Sequence, residues 1–111
     1  MDAEAIVRGF YACYSEGRPD DFAAYVSPDY LDYGHTPPGR GPQGAKDDYA
    51  QAVAKVGGIV TYTLDAVVTD DDVVAVVWTG TLPSGARMRG LSTYRVRGGL
   101  IASTHHTRLP S

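Results

Sequence analysis

The hydrophobic period of this chain changes once, near Gly57-Gly58, and that change limits what it can fold into. Before the glycine pair, apolar residues recur every three or four positions, as on one face of a helix. After it they alternate with polar residues, as on one face of a strand. Helices gathered ahead of strands argue for an α+β arrangement rather than repeated βα units. With 111 residues, the chain suits one domain over residues 1–111 around one core. No internal repeat or low-complexity segment is visible.

Ile6, Phe10, Cys13 and Gly17, flanked by Val7, Tyr11 and Tyr14, predict a first helix over about residues 2–16. Pro19 opens a short second helix, with Asp20 and Asp21 in its first turn and Phe22, Tyr25 and Val26 on its buried side. Ser27-Pro28-Asp29 ends it, and Tyr30 to Tyr33 reads as a short extended piece. Residues 34–44, rich in glycine and proline, form a loop whose last part starts a third helix with Ala45, Tyr49, Ala52, Val53 and Val56 on one stripe. Strands are predicted at about 59–69, 73–82, 86–97 and 100–108, joined as an antiparallel meander by Asp70-Asp71-Asp72, Pro83-Ser84-Gly85 and Gly98-Gly99. Val60, Tyr62, Leu64, Ala66 and Val68 share a face of the first. The run from Val73 to Leu82 is nearly all apolar, which predicts a strand covered on both faces.

The strand from Ala86 to Arg97 carries the most information. Met88, Gly90, Ser92, Tyr94 and Val96 lie on one face, and Arg87, Arg89, Arg95 and Arg97 on the other. Charge marks the outer face, so Ser92 and Tyr94 point inward. An inward serine and tyrosine call for polar partners or a wet cavity.

Composition excludes several classes. Net charge is −3, so no global basic field recruits nucleic acid or anionic membrane. No apolar run approaches the roughly 20 residues of a membrane span. Cys13 is the single cysteine, which excludes an internal disulfide and fits a reducing compartment. The acidic start Met1-Asp2-Ala3-Glu4 lacks the basic and apolar regions of a secretory signal. A cytoplasmic location is the expectation.

The order helix, helix, short strand, Pro/Gly loop, helix, long meander resembles the nuclear transport factor 2-like superfamily, and within it the SnoaL-like polyketide cyclase branch. Phe10-Tyr11 with Gly17 and Asp21-Phe22 is similar to that family's opening helix pair. Asp29-Tyr30-Leu31-Asp32-Tyr33 is similar to its first strand, and Gly41-Pro42-Gln43-Gly44 to the loop entering its third helix. Asp72 to Trp78 matches a central strand, and Tyr94-Arg95-Val96 with Gly99-Leu100-Ile101 the closing hairpin. The resemblance implies a cone-shaped α+β barrel, in which a strongly twisted antiparallel sheet wraps around the N-terminal helices and an apolar pocket. It also implies a small apolar ligand, no cofactor, and a homodimer formed through the sheet. Members include cyclases and isomerases, and others only bind, so the fold leaves the reaction open.

The same resemblance places an acidic residue at Asp32 and an acid–base group on the last strand. Here that group is His106, where relatives carry a carboxylate. A carboxylate beside an apolar cavity gains basicity by desolvation, which casts Asp32 as a base. An imidazole can give or take a proton near neutral pH. A two-residue turn at Gly98-Gly99 pairs Ser92 with His105 and points His105 inward. Family correspondence selects His106 instead, with Thr104 and Arg108 on its face. A β-bulge between Ile101 and His105 would reconcile the two. Tyr14, Tyr30, Ser92, Tyr94, Thr104 and Met88 are the candidate substrate-binding residues. Trp78 is expected to pack beneath the third helix.

His35, His105 and His106 are the histidines a metal would draw on, but no metal site is expected, because His105 and His106, as strand neighbours, face opposite ways and no ligand-spacing motif is present. Gly39 to Gly44 lacks the Lys-Ser/Thr ending of a phosphate loop. The function expected is cofactor-independent acid–base cyclisation or isomerisation of an apolar carbonyl compound. A non-catalytic ligand-binding domain of the same fold is the alternative. Convergence of Asp32 and a histidine on one cavity discriminates between them.

Overall fold

The computed structural model describes residues 2–110. Helix α1 (Ala3–Ser15) begins at Asp2, whose carboxylate accepts a hydrogen bond from the Ala5 amide. That bond satisfies a donor the helix leaves orphaned. Replacing Asp2 with alanine is expected to cost about 1 kcal/mol, read as a lower denaturant midpoint at unchanged m-value. Ile6, Val7, Phe10, Tyr11 and Cys13 form the buried face of α1.

Pro19–Ala24 is a 3₁₀ helix that buries Phe22. Strand β1 (Val26–Asp32) starts sooner than local pattern predicts. Tyr25 and Val26 do not continue a helix, because the Ile101 amide donates to the Tyr25 carbonyl at 2.8 Å and Val26 pairs with Ile101. Two-residue β2 (Gly39–Arg40), unforeseen in the loop, pairs with Leu31 and Asp32 and leads into α2 (Gly41–Val56). Gly57 closes α2 in the left-handed conformation.

The long strands are β3 (Thr61–Asp70), β4 (Val73–Thr81), β5 (Arg87–Arg97) and β6 (Leu100–Leu109). The sheet order is β2-β1-β6-β5-β4-β3. Every pair is antiparallel except β1 with β6, which run parallel. The helices and this curled sheet make the α+β arrangement that the period change anticipates and the cone that the resemblance implies. Helix α1 packs against β3 and β4, and α2 against β1 and the 3₁₀ helix. Phe22 lies between, with its ring stacked on Tyr14 at 5.0 Å and 5.1 Å from that of Phe10.

Two strands depart from simple alternation. In β3, Leu64 pairs with Trp78 and Ala66 with Val77, so Asp65 is a bulge. The extra residue reverses the facing of the rest of the strand. Val67 packs on the core, while Val68, expected inside, is 64% exposed. In β4 only Val74, Val76, Trp78 and Gly80 are buried, and the other face is half-exposed. Cover on both faces, read from its apolar run, does not occur within one chain, because both helices sit on the same side of the sheet. No helix among the described residues is long and apolar enough to cross a membrane.

Candidate functional site

The site is set by the β5–β6 hairpin. Gly98 and Gly99 adopt φ of 59° and 79°, the pair of positive values a two-residue turn of this type needs. Val96 faces Ile101, but the next pair is Arg95 with Ser103, so Ala102 is bulged. The bulge shifts register by one, and Ser92 pairs with His106 rather than His105. His105 therefore points to the outer face, where its ring stacks on Tyr33 at 4.8 Å.

With His106 inside, four side chains join in a line of polar contacts. Trp78 Nε1 donates to Ser92 Oγ at 2.9 Å. Ser92 Oγ lies 2.7 Å from His106 Nδ1, and His106 Nε2 lies 3.3 Å from Asp32 Oδ1. An indole N–H only donates and a carboxylate only accepts. Neutral His106 therefore carries its proton on Nε2, toward Asp32, and Nδ1 accepts from the Ser92 hydroxyl. Asp32 is only 3% exposed and accepts a second bond from the Gly34 amide at 2.8 Å. Burial pushes its pKa up, but the hydrogen bond and charge of His106, with the Gly34 amide, outweigh that and hold it below the usual carboxylate range. The expectation that desolvation makes Asp32 a stronger base is thus corrected. Asp32 stays ionised and steadies charge on His106.

These groups open on a cavity of about 170 Å³. Its walls are aromatic: Phe10, Tyr11, Tyr14, Tyr30, Tyr62, Trp78 and Tyr94. Tyr94 donates its hydroxyl proton to Tyr11 at 2.8 Å, which leaves the Tyr11 proton free for an oxygen in the cavity. The Tyr14 and Tyr30 hydroxyls have no side-chain partner among the described residues. Burial pushes the pKa of Tyr11 up to about 12 and raises those of Tyr14, Tyr30 and Tyr94. The walls are therefore neutral donors at physiological pH.

Of the candidates read from sequence, Asp32, His106, Ser92, Tyr14, Tyr30 and Tyr94 line the cavity. His105, Met88 and Thr104 do not. Met88 lies beside Gly80, farther along the sheet. Thr104 pairs with both Tyr94 and Asp32 and is fully buried, its hydroxyl without a hydrogen-bond partner among the described residues. Trp78 is not simply packing beneath a helix: its ring lines the cavity 5.2 Å from Tyr62 and covers Gly90 across the sheet. A Cβ at Gly90 would come within 2.1 Å of that indole. Gly90→Ala is expected to destabilise by about 1–3 kcal/mol through overpacking. It should also shift the emission of the single tryptophan as its bond to Ser92 breaks.

Sequence reasoning missed Asp48 and weighed His35 only as part of a histidine metal set with His105 and His106; the two residues complete the mouth. His35 Nε2 lies 3.6 Å from Asp32 Oδ2 and 3.6 Å from Asp48 Oδ2. The signal for Asp48 is its position, three residues after Ala45 and four before Ala52 on the apolar stripe of α2. A carboxylate on a buried helix face needs a reason.

This fold and cavity define the class, and comparison with protein families defines the family. Residues 7–104 match the SnoaL-like domain, and the chain belongs to that family. Its fold is shared with a SnoaL-like polyketide cyclase from Agrobacterium tumefaciens (12% identity over 98% of this chain and 92% of that one, TM-score 0.83). It is shared also with IdmH from Streptomyces antibioticus (22% identity, 97% and 92% coverage, TM-score 0.79). A third likeness is an NTF2-like protein of unknown function from Cytophaga hutchinsonii (13% identity, 99% and 92% coverage, TM-score 0.81). No curated protein matches the chain.

Proposed function

We propose that this protein is a cofactor-independent acid–base enzyme that cyclises or isomerises a small, mostly apolar carbonyl compound of polyketide type. The observation that carries this reading is the Ser92–His106–Asp32 relay opening on an aromatic cavity. The carbonyl oxygen accepts hydrogen bonds from tyrosine hydroxyls, which strengthen as negative charge develops on it. Ser92 Oγ, which lines the cavity, takes the proton from carbon beside the carbonyl as its own hydroxyl proton passes to His106 Nδ1. The imidazolium is held by Asp32 and returns a proton through Ser92 to the rearranged product, so no redox partner is needed. The cavity is smaller than the roughly 300–1,000 Å³ of drug-sized sites, which favours a compact substrate. The polyketide cyclase named among the structural likenesses supports the substrate class.

The test is hydrogen–deuterium exchange at carbon in D₂O, monitored by NMR on compact aromatic β-dicarbonyl compounds. The protein should accelerate exchange at the carbon between the carbonyls. Binding of such compounds with exchange at the buffer rate would instead favour the non-catalytic, ligand-binding reading.

We also propose a homodimer through the outer sheet face, where Val77 and Leu91 sit opposite one another, half-exposed, and Val68 is open. Light scattering should give twice the chain mass, and Leu91→Arg should return the monomer. A wild-type monomer at working concentration would remove this proposal.

A further inference from the structure

Asp48 has no role in the relay, yet it is the least expected side chain at the cavity. It is 9% exposed, and its Oδ2 has no hydrogen-bond partner among the described residues. A buried carboxylate oxygen left unpaired is costly, and something ordinarily answers it. Backbone closes one side of it: a Cβ at Gly39 would come within 2.3 Å of that oxygen. The other side faces His35 Nε2 at 3.6 Å, beyond hydrogen-bond distance, and His35 stands equally far from Asp32 Oδ2. The three donor atoms all lie within 4.8 Å of one another.

We infer that Asp32, His35 and Asp48 form a binding site for a divalent first-row cation at the mouth of the cavity. One imidazole and two carboxylates are a donor set of Zn²⁺ or Mn²⁺ type. The three come from separate elements: the end of β1, the loop after it, and α2. Close approach without contact is the spacing of ligands around a shared ion. Ligands bonded to one ion at about 2.0–2.2 Å in a tetrahedral shell stand about 3.3–3.6 Å apart. Charge points the same way, since two carboxylates share the site with neutral or cationic histidine. A divalent ion would answer the Asp48 oxygen and the repulsion between the carboxylates together.

The site is accessible. His35 and Asp48 also line an outer groove formed with Gln43, Asp47 and Gln51. Water or a ligand oxygen could therefore fill the remaining coordination positions from either side, the feature that distinguishes an open metal site from a structural one. Asp32 uses Oδ1 toward His106 and Oδ2 toward this cluster. The inference goes beyond the acid–base reading and does not need it.

The test is calorimetric titration of the full chain with ZnCl₂ and, separately, MnCl₂, after treatment with chelator. One ion per chain is expected for at least one of the two metals. Affinity should fall at least tenfold in Asp48→Asn and in His35→Ala. His105→Ala, which removes an exposed histidine stacked on Tyr33 outside the cavity, should bind as the wild type does. Thermal melting of each variant without metal checks that it is folded. A misfolded Asp48→Asn leaves the decision to His35→Ala, whose side chain is at the surface. No uptake of either metal by the wild type would overturn the inference, as would equal uptake by folded Asp48→Asn or His35→Ala. Loss of binding in His105→Ala alone would assign the metal to the surface and overturn it too. Because the readout is binding without turnover, failure here leaves the acid–base reading standing, and failure of the exchange assay leaves this one standing.

Discussion

His106→Ala is expected to lower carbon-exchange or cyclisation turnover by roughly 10²–10⁴-fold, the usual contribution of a positioned acid–base group. Melting temperature should also fall, because His106 is the main partner that offsets burial of the Asp32 carboxylate, so turnover is read where the variant is folded. Asp32→Asn is expected to give a loss of similar order for a different reason. A carboxamide can present N–H to His106 Nε2, which reverses the tautomer. The ring proton then sits on Nδ1, facing Ser92, and that nitrogen can no longer take a proton. The reversal is visible in the ¹⁵N shifts of the His106 ring, independently of any substrate. Unchanged turnover in both folded variants would sink the catalytic reading. A changed tautomer with unchanged turnover would show that the relay is structural.

The second large effect is alkaline unfolding. Burial raises the pKa of Tyr11, Tyr14, Tyr30, Tyr62 and Tyr94 above 10.0, that of Tyr11 to about 12. Below about pH 10 these phenols are protonated in both folded and unfolded chains, and stability is fully present. As pH rises toward the folded-state values only the unfolded chain ionises. Each group then removes about 1.4 kcal/mol per pH unit. Five such groups acting together exceed a typical total stability of about 5–15 kcal/mol within one to two pH units. The fold should therefore collapse cooperatively between about pH 10 and 12, with tyrosinate absorbance rising in step with loss of the sheet signal in circular dichroism. Gradual titration of all tyrosines at pH 10 with the fold intact would contradict the buried, mutually packed arrangement.

Legibility varied with how local each determinant is. The inward face of β5 was readable because Met88, Gly90, Ser92, Tyr94 and Val96 alternate with arginines, and alternation is a property of the strand itself. The start of β1 was not, because Tyr25 and Val26 are claimed by Ile101, near the other end of the chain. The facing of Val68 depended on one bulged residue, Asp65. Asp32 could be picked out, but its acidity could not. Sequence shows a carboxylate near apolar residues, whereas the direction of its pKa depends on an imidazole and an amide brought to it by other segments. Asp48 was visible as a charge on an apolar stripe and was passed over. His35 was weighed only beside the other two histidines, since a loop histidine has no periodicity to show that its neighbours are Asp32 and Asp48.

The sequence by itself determined the order of the three helices and the long strands, the α+β class, the Gly98-Gly99 turn and the presence of polar residues on an inward sheet face. These rest on periodicity, turn chemistry and the cost of burying charge, all expressed within a few residues. Tertiary structure alone decided which histidine enters the cavity. That choice rests on the Ala102 bulge, because the side-chain period of a strand is two and a shift of one residue exchanges inside for outside. It also decided that Trp78, Ser92, His106 and Asp32 form one line of polar contacts, and that Asp48 and His35 meet Asp32 at its end. Distances among residues from β1, α2, β4, β5 and β6 are set by how the sheet curls around the helices, which no local pattern encodes.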